Sequence, residues 1–377
     1  LLFIHLFELH HSPAESCISR IALRFTLTAW CFEVFTSKEI VMSLKEVARR
    51  AGVGLATVDR VLNERGGVAP ETVHRVLQAA REIGLKRTLP EEHRHPWQIE
   101  LLLSSNDSFF FKQLAQDFTA FSSHLGYRRL TLHRTFVPEA QPERLAKLIR
   151  EGAVTRDGLI VFAHEHPAIY EALEHCQRRG VPVISLVTDL PAAARLCHVG
   201  INQLQAGRTA AQLMGKMLHQ PGEVLMVSGH RDYSAHRQRI EGFRMLITER
   251  YPHLQLREVL AAQENRATLS KLLEKQLIQS GNLQGIYNTG LGNTEIGQAL
   301  ARHRLQNKCI WITHELYATT RTLMAQQSVA LTLDQNTRQH AQIALQLMLN
   351  YLEHGVKPDE YASGKVDFMI YTAENSI

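Results

Sequence analysis

The chain has 377 residues, 45% of them hydrophobic, enough for two or three domains with sizeable cores. Its formal charge is +5, and the span from Met42 to Leu89 holds nine Lys and Arg against five acids, a local surplus of four that predicts a polyanionic partner. Cys17, Cys31, Cys176, Cys197 and Cys309 show neither C-x-x-C nor zinc spacing, which argues against a disulfide scaffold and fits a reduced cytoplasm, and no run of eighteen apolar residues marks a membrane span.

Residues 1–41 begin with Leu, are rich in Phe, Leu and Ile, and lack the periodicity that follows. A signal peptide would need a charged start, an apolar run not interrupted by His10 and His11, and a small-residue cleavage site. The expectation is a non-native extension, with the natural start at Met42.

From residue 42 to 84 the pattern is that of three short helices. Ser43 and Glu46 have the spacing of a capping box, and Val47, Ala48 and Ala51 form one apolar face before Gly52 breaks the helix. Gly54 can cap a second helix whose Val58, Val61 and Leu62 turn inward, leaving Leu55, Ala56, Asp59, Arg60 and Asn63 outside. Pro70 opens a third, apolar at Val73, Val76, Leu77, Ala80 and Ile83, that stops at Gly84. This is a helix-turn-helix.

The run Val47-Ala48-Arg49-Arg50-Ala51-Gly52-Val53-Gly54-Leu55-Ala56-Thr57-Val58-Asp59-Arg60-Val61-Leu62-Asn63 resembles the head of the LacI family of transcription regulators, Val-Ala-x-x-Ala-Gly-Val-Ser-x-x-Thr-Val-Ser-Arg-Val-Leu-Asn. It departs at Gly54 and Asp59, each standing for a Ser. The resemblance implies that the second helix enters the major groove, with Leu55 and Ala56 as the base-reading pair. Both are apolar and suit a thymine methyl. For Asp59 two readings stay open: acceptance from cytosine N4, or orientation of Arg60. Arg60 and Asn63 position the helix on bases or backbone, while Thr57 and Thr72 can bond phosphates from helix starts. Lys45, Arg49 and Arg50 are equally a solvated basic face or direct contacts.

Residues 85–96, with two prolines and dense charge, form a linker that lacks the Tyr-x-Pro-Asn and the hinge-helix pattern many family members carry. Beyond Gln98, short apolar runs (Ile99–Leu103, Leu159–Ala163, Val181–Val187, Val224–Val227, Gly285–Tyr287, Ile310–Ile312) alternate with amphipathic stretches at 109–125, 204–219, 233–250, 265–280 and 335–353. The alternation predicts two lobes of doubly wound α/β structure with parallel sheets. The fold class expected is thus a small all-α helix-turn-helix head followed by a two-lobed α/β domain over 97–377.

Val199-Gly200-Ile201-Asn202 before Ala206-Gly207-Arg208-Thr209-Ala210-Ala211, and Arg237-Gln238-Arg239-Ile240-Glu241-Gly242-Phe243, resemble the ligand domain of the same family and the type I periplasmic sugar-binding proteins. That resemblance implies a first lobe of about 97–200 and 335–358, a second of about 201–334 and 359–377, and a hinge made by several crossings. Ligands in such folds meet the carboxyl ends of the strands.

Asn106, Asp107, Phe109 and Phe110 follow the first strand and resemble the Asn-Pro-Phe-Phe of sugar-binding proteins, an aromatic face for sugar C–H groups beside polar groups for hydroxyls. At least one of the two Phe is expected to be lobe packing. Arg239 matches the family's sugar-binding Arg, its fork suiting vicinal hydroxyls or a carboxylate. Arg237 is expected to be a surface ion pair. Asn288, Glu315, Asp334 and Gln335 lie at further strand ends; each alone is a turn residue, and together they make a site for a sugar or polyol.

His164-Glu165-His166 invites a metal, but Pro167 and the lack of further ligands weigh against one. Gly290-x-Gly292 lacks the third glycine of a dinucleotide loop and fits a helix-opening ligand loop better. No H-E-x-x-H, Gly-x-Ser-x-Gly or P-loop occurs, so neither a cofactor nor catalysis is expected. The expected function is a cytoplasmic, sugar-responsive repressor, a homodimer on a pseudo-palindromic operator. The alternative is an exported sugar-binding protein, which would have no use for the head.

Overall fold

A computed structural model of the chain describes residues 44–376 apart from 64, 66, 86–95, 107, 127–128, 191–193, 230–232, 263–264 and 291. The expectations for residues 1–41, for the Ser43 cap and for most of the linker fall outside the described residues. The chain divides into two units, Leu1–Arg94 and His95–Ile377.

In the first unit helices α1 (44–51), α2 (Leu55–Leu62) and α3 (Pro70–Glu82) enclose one small core of Val47, Ala51, Val58, Val61, Leu62, Val76, Leu77 and Ala80. α1 ends in a Schellman motif: Gly52 takes φ +67°, and the Val53 amide donates to the Ala48 carbonyl at 3.0 Å. Gly84 repeats the device after α3, with Leu85 donating to Ala80 at 3.1 Å. Pro70 sits in the first turn of α3, where its missing N–H costs nothing.

The second unit contains two sheets. The first lobe is built from β1 (Trp97–Ser104), α4 (Phe109–Leu125), β2 (Leu130–Val137), α5 (Pro142–Thr155), β3 (Gly158–Val161), α6 (Pro167–Arg178), β4 (Val183–Leu186) and β5 (Cys197–Ile201). The second adds α7 (Gln203–Met217), β6 (Gly222–Ser228), α8 (Ser234–Arg250), β7 (Leu254–Leu256), β8 (Leu260–Ala261), α9 (Arg266–Gln279), β9 (Leu283–Asn288), α10 (Asn293–Arg302), β10 (Ile310–His314), α11 (Ala318–Ala325) and β11 (Leu331–Asp334). The chain then runs through α12 (Thr337–His354), β12 (Lys365–Val366) and β13 (Met369–Tyr371).

The first sheet has the order β12-β5-β4-β3-β1-β2 and the second β13-β11-β10-β9-β6-β7, with β8 also on β6. Among these strands the pairings are parallel except that of β13. β3 and β4 are buried along their whole length because helices cover both faces: Phe118 of α4 and Leu345 of α12 lie in one cluster, Ile149 of α5 and Leu173 of α6 in another. In the second lobe Met214 and Phe243 pack on one face, and Leu273, Ile296 and Met324 on the other.

Two differences from the sequence reading have clear physical causes. β2 is an edge strand with one neighbour, so Thr131, His133, Arg134 and Thr135 dilute its apolar pattern. The last crossing comes later than residue 359, because Lys365–Val366 still pairs with Gly200–Ile201 in the first lobe. Gly364 permits that approach: a Cβ there would lie 1.8 Å from the His198 carbonyl oxygen. The crossings lie side by side, with Val366 beside Ile201, Met369 beside Asp334, and Gln203 hydrogen-bonded to Gln335 at 3.2 Å.

Candidate functional site

On the head, α2 turns Val58, Val61 and Leu62 into the core and leaves Leu55 43% exposed, with Ala56, Arg60 and Asn63 exposed beside it. The Asp59 carboxylate accepts from Asn63 Nδ2 at 2.6 Å and from Arg65 Nη1 at 2.8 Å, and so holds both side chains. Ala56, Asp59, Arg60, Arg65 and Gly67 line a shallow concavity. Thr57 and Thr72 are half-buried near helix starts. Two cations of α1 are occupied by acids, Arg49 by Glu46 and Arg50 by Glu82 at 3.4 Å, while Lys45 is exposed.

In the second unit the loops at the carboxyl ends of strands from both lobes surround a cleft of about 390 Å³, within the usual range for small-molecule sites. It gathers Asn106, Phe109, Phe110, Arg239, Glu315 and Gln335 of the predicted residues. Asp107 lies outside the described residues. Asn288 stands behind the wall: fully buried, it donates to Asn293 Oδ1 at 2.8 Å and fixes Asn293, which does face the cleft. The Asp334 carboxylate accepts the Leu316 and Asn336 amides at 3.0 and 2.8 Å, holds the turn after β10, and faces an adjoining cavity.

Arg239 is 3% exposed and braced from behind, with Nε donating to Gln203 Oε1 at 2.6 Å and Nη1 to the Thr289 carbonyl at 2.5 Å. Gln203 donates onward to the Val187 carbonyl and to Gln335 Oε1, each at 3.2 Å, and Gln335 donates to Glu315 Oε1 at 2.6 Å. One polar chain thus joins the cleft arginine to its buried acid through the crossing residues. Burial lowers the pKa of Arg239, opposed by the charge of Glu315. Burial, and then the neighbouring Asp334, push Glu315 up to about 8.

Val187, Glu315 and Asn336 adopt φ of +68°, +69° and +59°. Such conformations cost about 1–3 kcal/mol each outside glycine, so strain is stored where three strand ends form or adjoin the cleft. Gly292, at φ +102°, caps α10, and with Gly290 it lines the cleft, as a helix-opening loop should.

The aromatic residues divide the labour. Phe110 packs against the first lobe's core, whereas Phe109, 45% exposed, stacks on Tyr317 of the other lobe at 5.8 Å between centroids. Phe162 and Tyr233 meet across the lobes at 5.2 Å. Arg237 pairs with Glu165, the surface ion pair expected of it. His166 caps α6 with Nδ1, accepting from the Ala168 amide, and no group of three metal-ligating side chains occurs among the described residues.

Sequence reasoning missed Tyr233, His236, Tyr317, Glu139 and Arg266, all in the cleft wall. A helical-period signal exists for one: His236 lies three residues before Arg239, on the same face of α8. For the others the clue is position just after a strand.

Residues 43–87 match the family described as bacterial regulatory proteins, lacI family, and residues 99–356 the periplasmic binding protein domain family. The chain is similar to the HTH-type transcriptional repressor PurR of Vibrio parahaemolyticus, 25% identical over 213 residues, covering 55% of this chain and 61% of the relative. It is also similar to the HTH-type transcriptional regulator DegA of Bacillus subtilis, 24% identical over 216 residues with 55% and 61% covered. The chain therefore spans about three fifths of the length of these curated relatives. Among solved structures, the glucose-galactose binding protein GanP of Geobacillus stearothermophilus shares the fold, with a TM-score of 0.68, 14% identity, and 74% of this chain and 99% of that one covered.

Proposed function

The chain belongs to the periplasmic binding protein domain family, with a head of the lacI family of bacterial regulatory proteins, and from that premise we propose a sequence-specific DNA-binding regulator. In this reading it represses genes of carbohydrate or polyol use and is controlled by a small sugar-like effector held between its lobes. The observation that carries the proposal is the presence in one chain of an exposed helix-turn-helix face, Leu55, Ala56 and Arg60, and a cleft between two lobes.

Two heads of a homodimer would meet the halves of a pseudo-palindromic operator in adjacent major-groove segments. An effector that binds one lobe arrangement better than the other shifts the balance between them, and only that difference in affinity can act as the switch. Aromatic faces at Phe109 and Tyr317, with the fixed donors of Arg239, support a polyhydroxylated ligand. In this reading the protein works where DNA is, in the cytoplasm.

The test is fluorescence anisotropy with the DNA upstream of the protein's own gene, alone and with a panel of sugars, polyols and sugar acids. Saturable binding that one of these compounds alters is expected; no preference over random duplex would remove the reading. The exported sugar-binding alternative predicts recovery of the chain outside the cytoplasmic fraction, and a sugar-modifying enzyme predicts new products after incubation with the same panel.

A further inference from the structure

The Phe109–Tyr317 stack is not the end of the cleft. Beyond it lies a second cavity of about 410 Å³, whose wall adds Gln113, Arg321, Asp334 and Thr337 and shares Phe109, Phe110, Glu315 and Tyr317 with the first. We propose that this outer chamber is a second ring subsite, so that the effector is a neutral two-ring ligand, a disaccharide or glycoside, rather than a single sugar. The inference rests on the reading of the cleft as a sugar site and extends it to ligand size.

The partition between the chambers consists of side chains. Phe109 is the first residue of α4 and is 45% exposed, and its stack on Tyr317 is a single ring contact at 5.8 Å between centroids. Tyr317 is the more buried of the two, with the Thr320 and Asn293 side chains beside its hydroxyl. Phe109 is thus the moving leaf, and rotamer changes of half-exposed side chains are fast. Turned aside, it would lie along a ligand crossing from one chamber to the other and offer its face to sugar C–H groups.

The outer wall has hydrogen-bonding capacity left over. The Arg321 guanidinium makes no hydrogen bond or ion pair among the described residues although it faces the chamber. The Gln113 amide donates to Asp117 at 3.1 Å, which leaves its carbonyl oxygen to accept. A donor fork and an acceptor on one wall suit the hydroxyls of a second ring. Charge favours a neutral ring over a phosphate or carboxylate, because the Asp334 carboxylate on the same wall offsets the Arg321 guanidinium.

The experiment is isothermal titration of the full chain with D-glucose and D-galactose against maltose, cellobiose, lactose and melibiose, repeated on Arg321→Ala and Gln113→Ala. Neither residue lines the inner chamber, and thermal melts identify any variant that fails to fold. At least one disaccharide should bind more tightly than its component sugars, and each substitution should cost that disaccharide about tenfold while leaving monosaccharide affinity unchanged. Monosaccharides that bind as tightly as any disaccharide, with Arg321→Ala indifferent to both, would overturn the second subsite and leave the sugar reading standing. No binding by any probe would overturn both.

Discussion

The close packing of α7 on α8 gives a prediction that joins stability to the cleft. A Cβ on Gly207 would lie 2.1 Å from the Arg239 carbonyl oxygen, 2.9 Å from its carbonyl carbon and 3.0 Å from its Cα, all backbone atoms that cannot rotate away. Gly242 makes the reciprocal contact, its Cβ position lying 2.2 Å from the Leu204 carbonyl oxygen. Gly207→Ala must therefore separate the helices by about 1 Å, since real Cβ contacts do not fall below 3.0 Å. A shift of that size stretches the 2.6 Å bond from Arg239 to Gln203 beyond hydrogen-bonding range. Overpacking costs about 1–3 kcal/mol and a weakened bond to a buried charge about 1.5–3, against about 1 kcal/mol gained from alanine's helix propensity. The net loss expected is about 1.5–5 kcal/mol, a fall in melting temperature of roughly 3–9 °C for a unit of this size. Calorimetry of Gly207→Ala beside Gly281→Ala, whose added methyl meets nothing within 4 Å, makes the comparison. A Gly207→Ala protein that melts with the parent would show that the notch gives way and the argument fails.

Further expectations concern the head and the buried acid. Arg60→Ala should weaken DNA binding and reduce the slope of log affinity against log salt by about one if its contact is to phosphate; an unchanged salt titration would reject that role. Asp59→Ala removes a negative charge from the DNA-facing side, yet by freeing Arg65 and Asn63 it should weaken binding about two- to fivefold without changing base preference. A relaxed preference at a single cytosine would instead give Asp59 the base-reading role. Glu315, raised from 4.5 to about 8 in the folded state, favours folding fully below pH 4.5 and loses that contribution as pH climbs through 8. Urea melts should therefore show Glu315→Gln gaining on the parent between pH 5 and 8. His198 and His340, pressed down to about 4 by burial, act in the opposite sense below pH 6.5 but do so in both proteins. Parallel pH curves would contradict the buried acid.

The head was almost fully legible in sequence because its three helices bury periodic apolar residues against one another and two of them, α1 and α3, end on glycines of positive φ. The central strands were legible for the same local reason. β2 was not, since an edge strand keeps polar residues on its open side. The cleft divides in the same way: Arg239, Phe109 and Glu315 stand in recognisable strings, whereas Gln203 acquires its part only by meeting Gln335, 132 residues away. Asn288 and Asp334 show the limit of reading strand ends, as both spend their polar atoms on the turns that hold their neighbours.

The backbone passes from lobe to lobe beside Ile201, beside Asp334 and between Val366 and Met369, and these passages are bonded to one another. Three adjoining straps resist sliding and torsion far more than bending, as the knuckles of a door do. Whatever fills the space between the lobes can then be reported only as an angle. Compounds of unrelated chemistry converge on that single parameter, so a chain of this build can exchange its chemical signal at a few side chains and keep its mechanics.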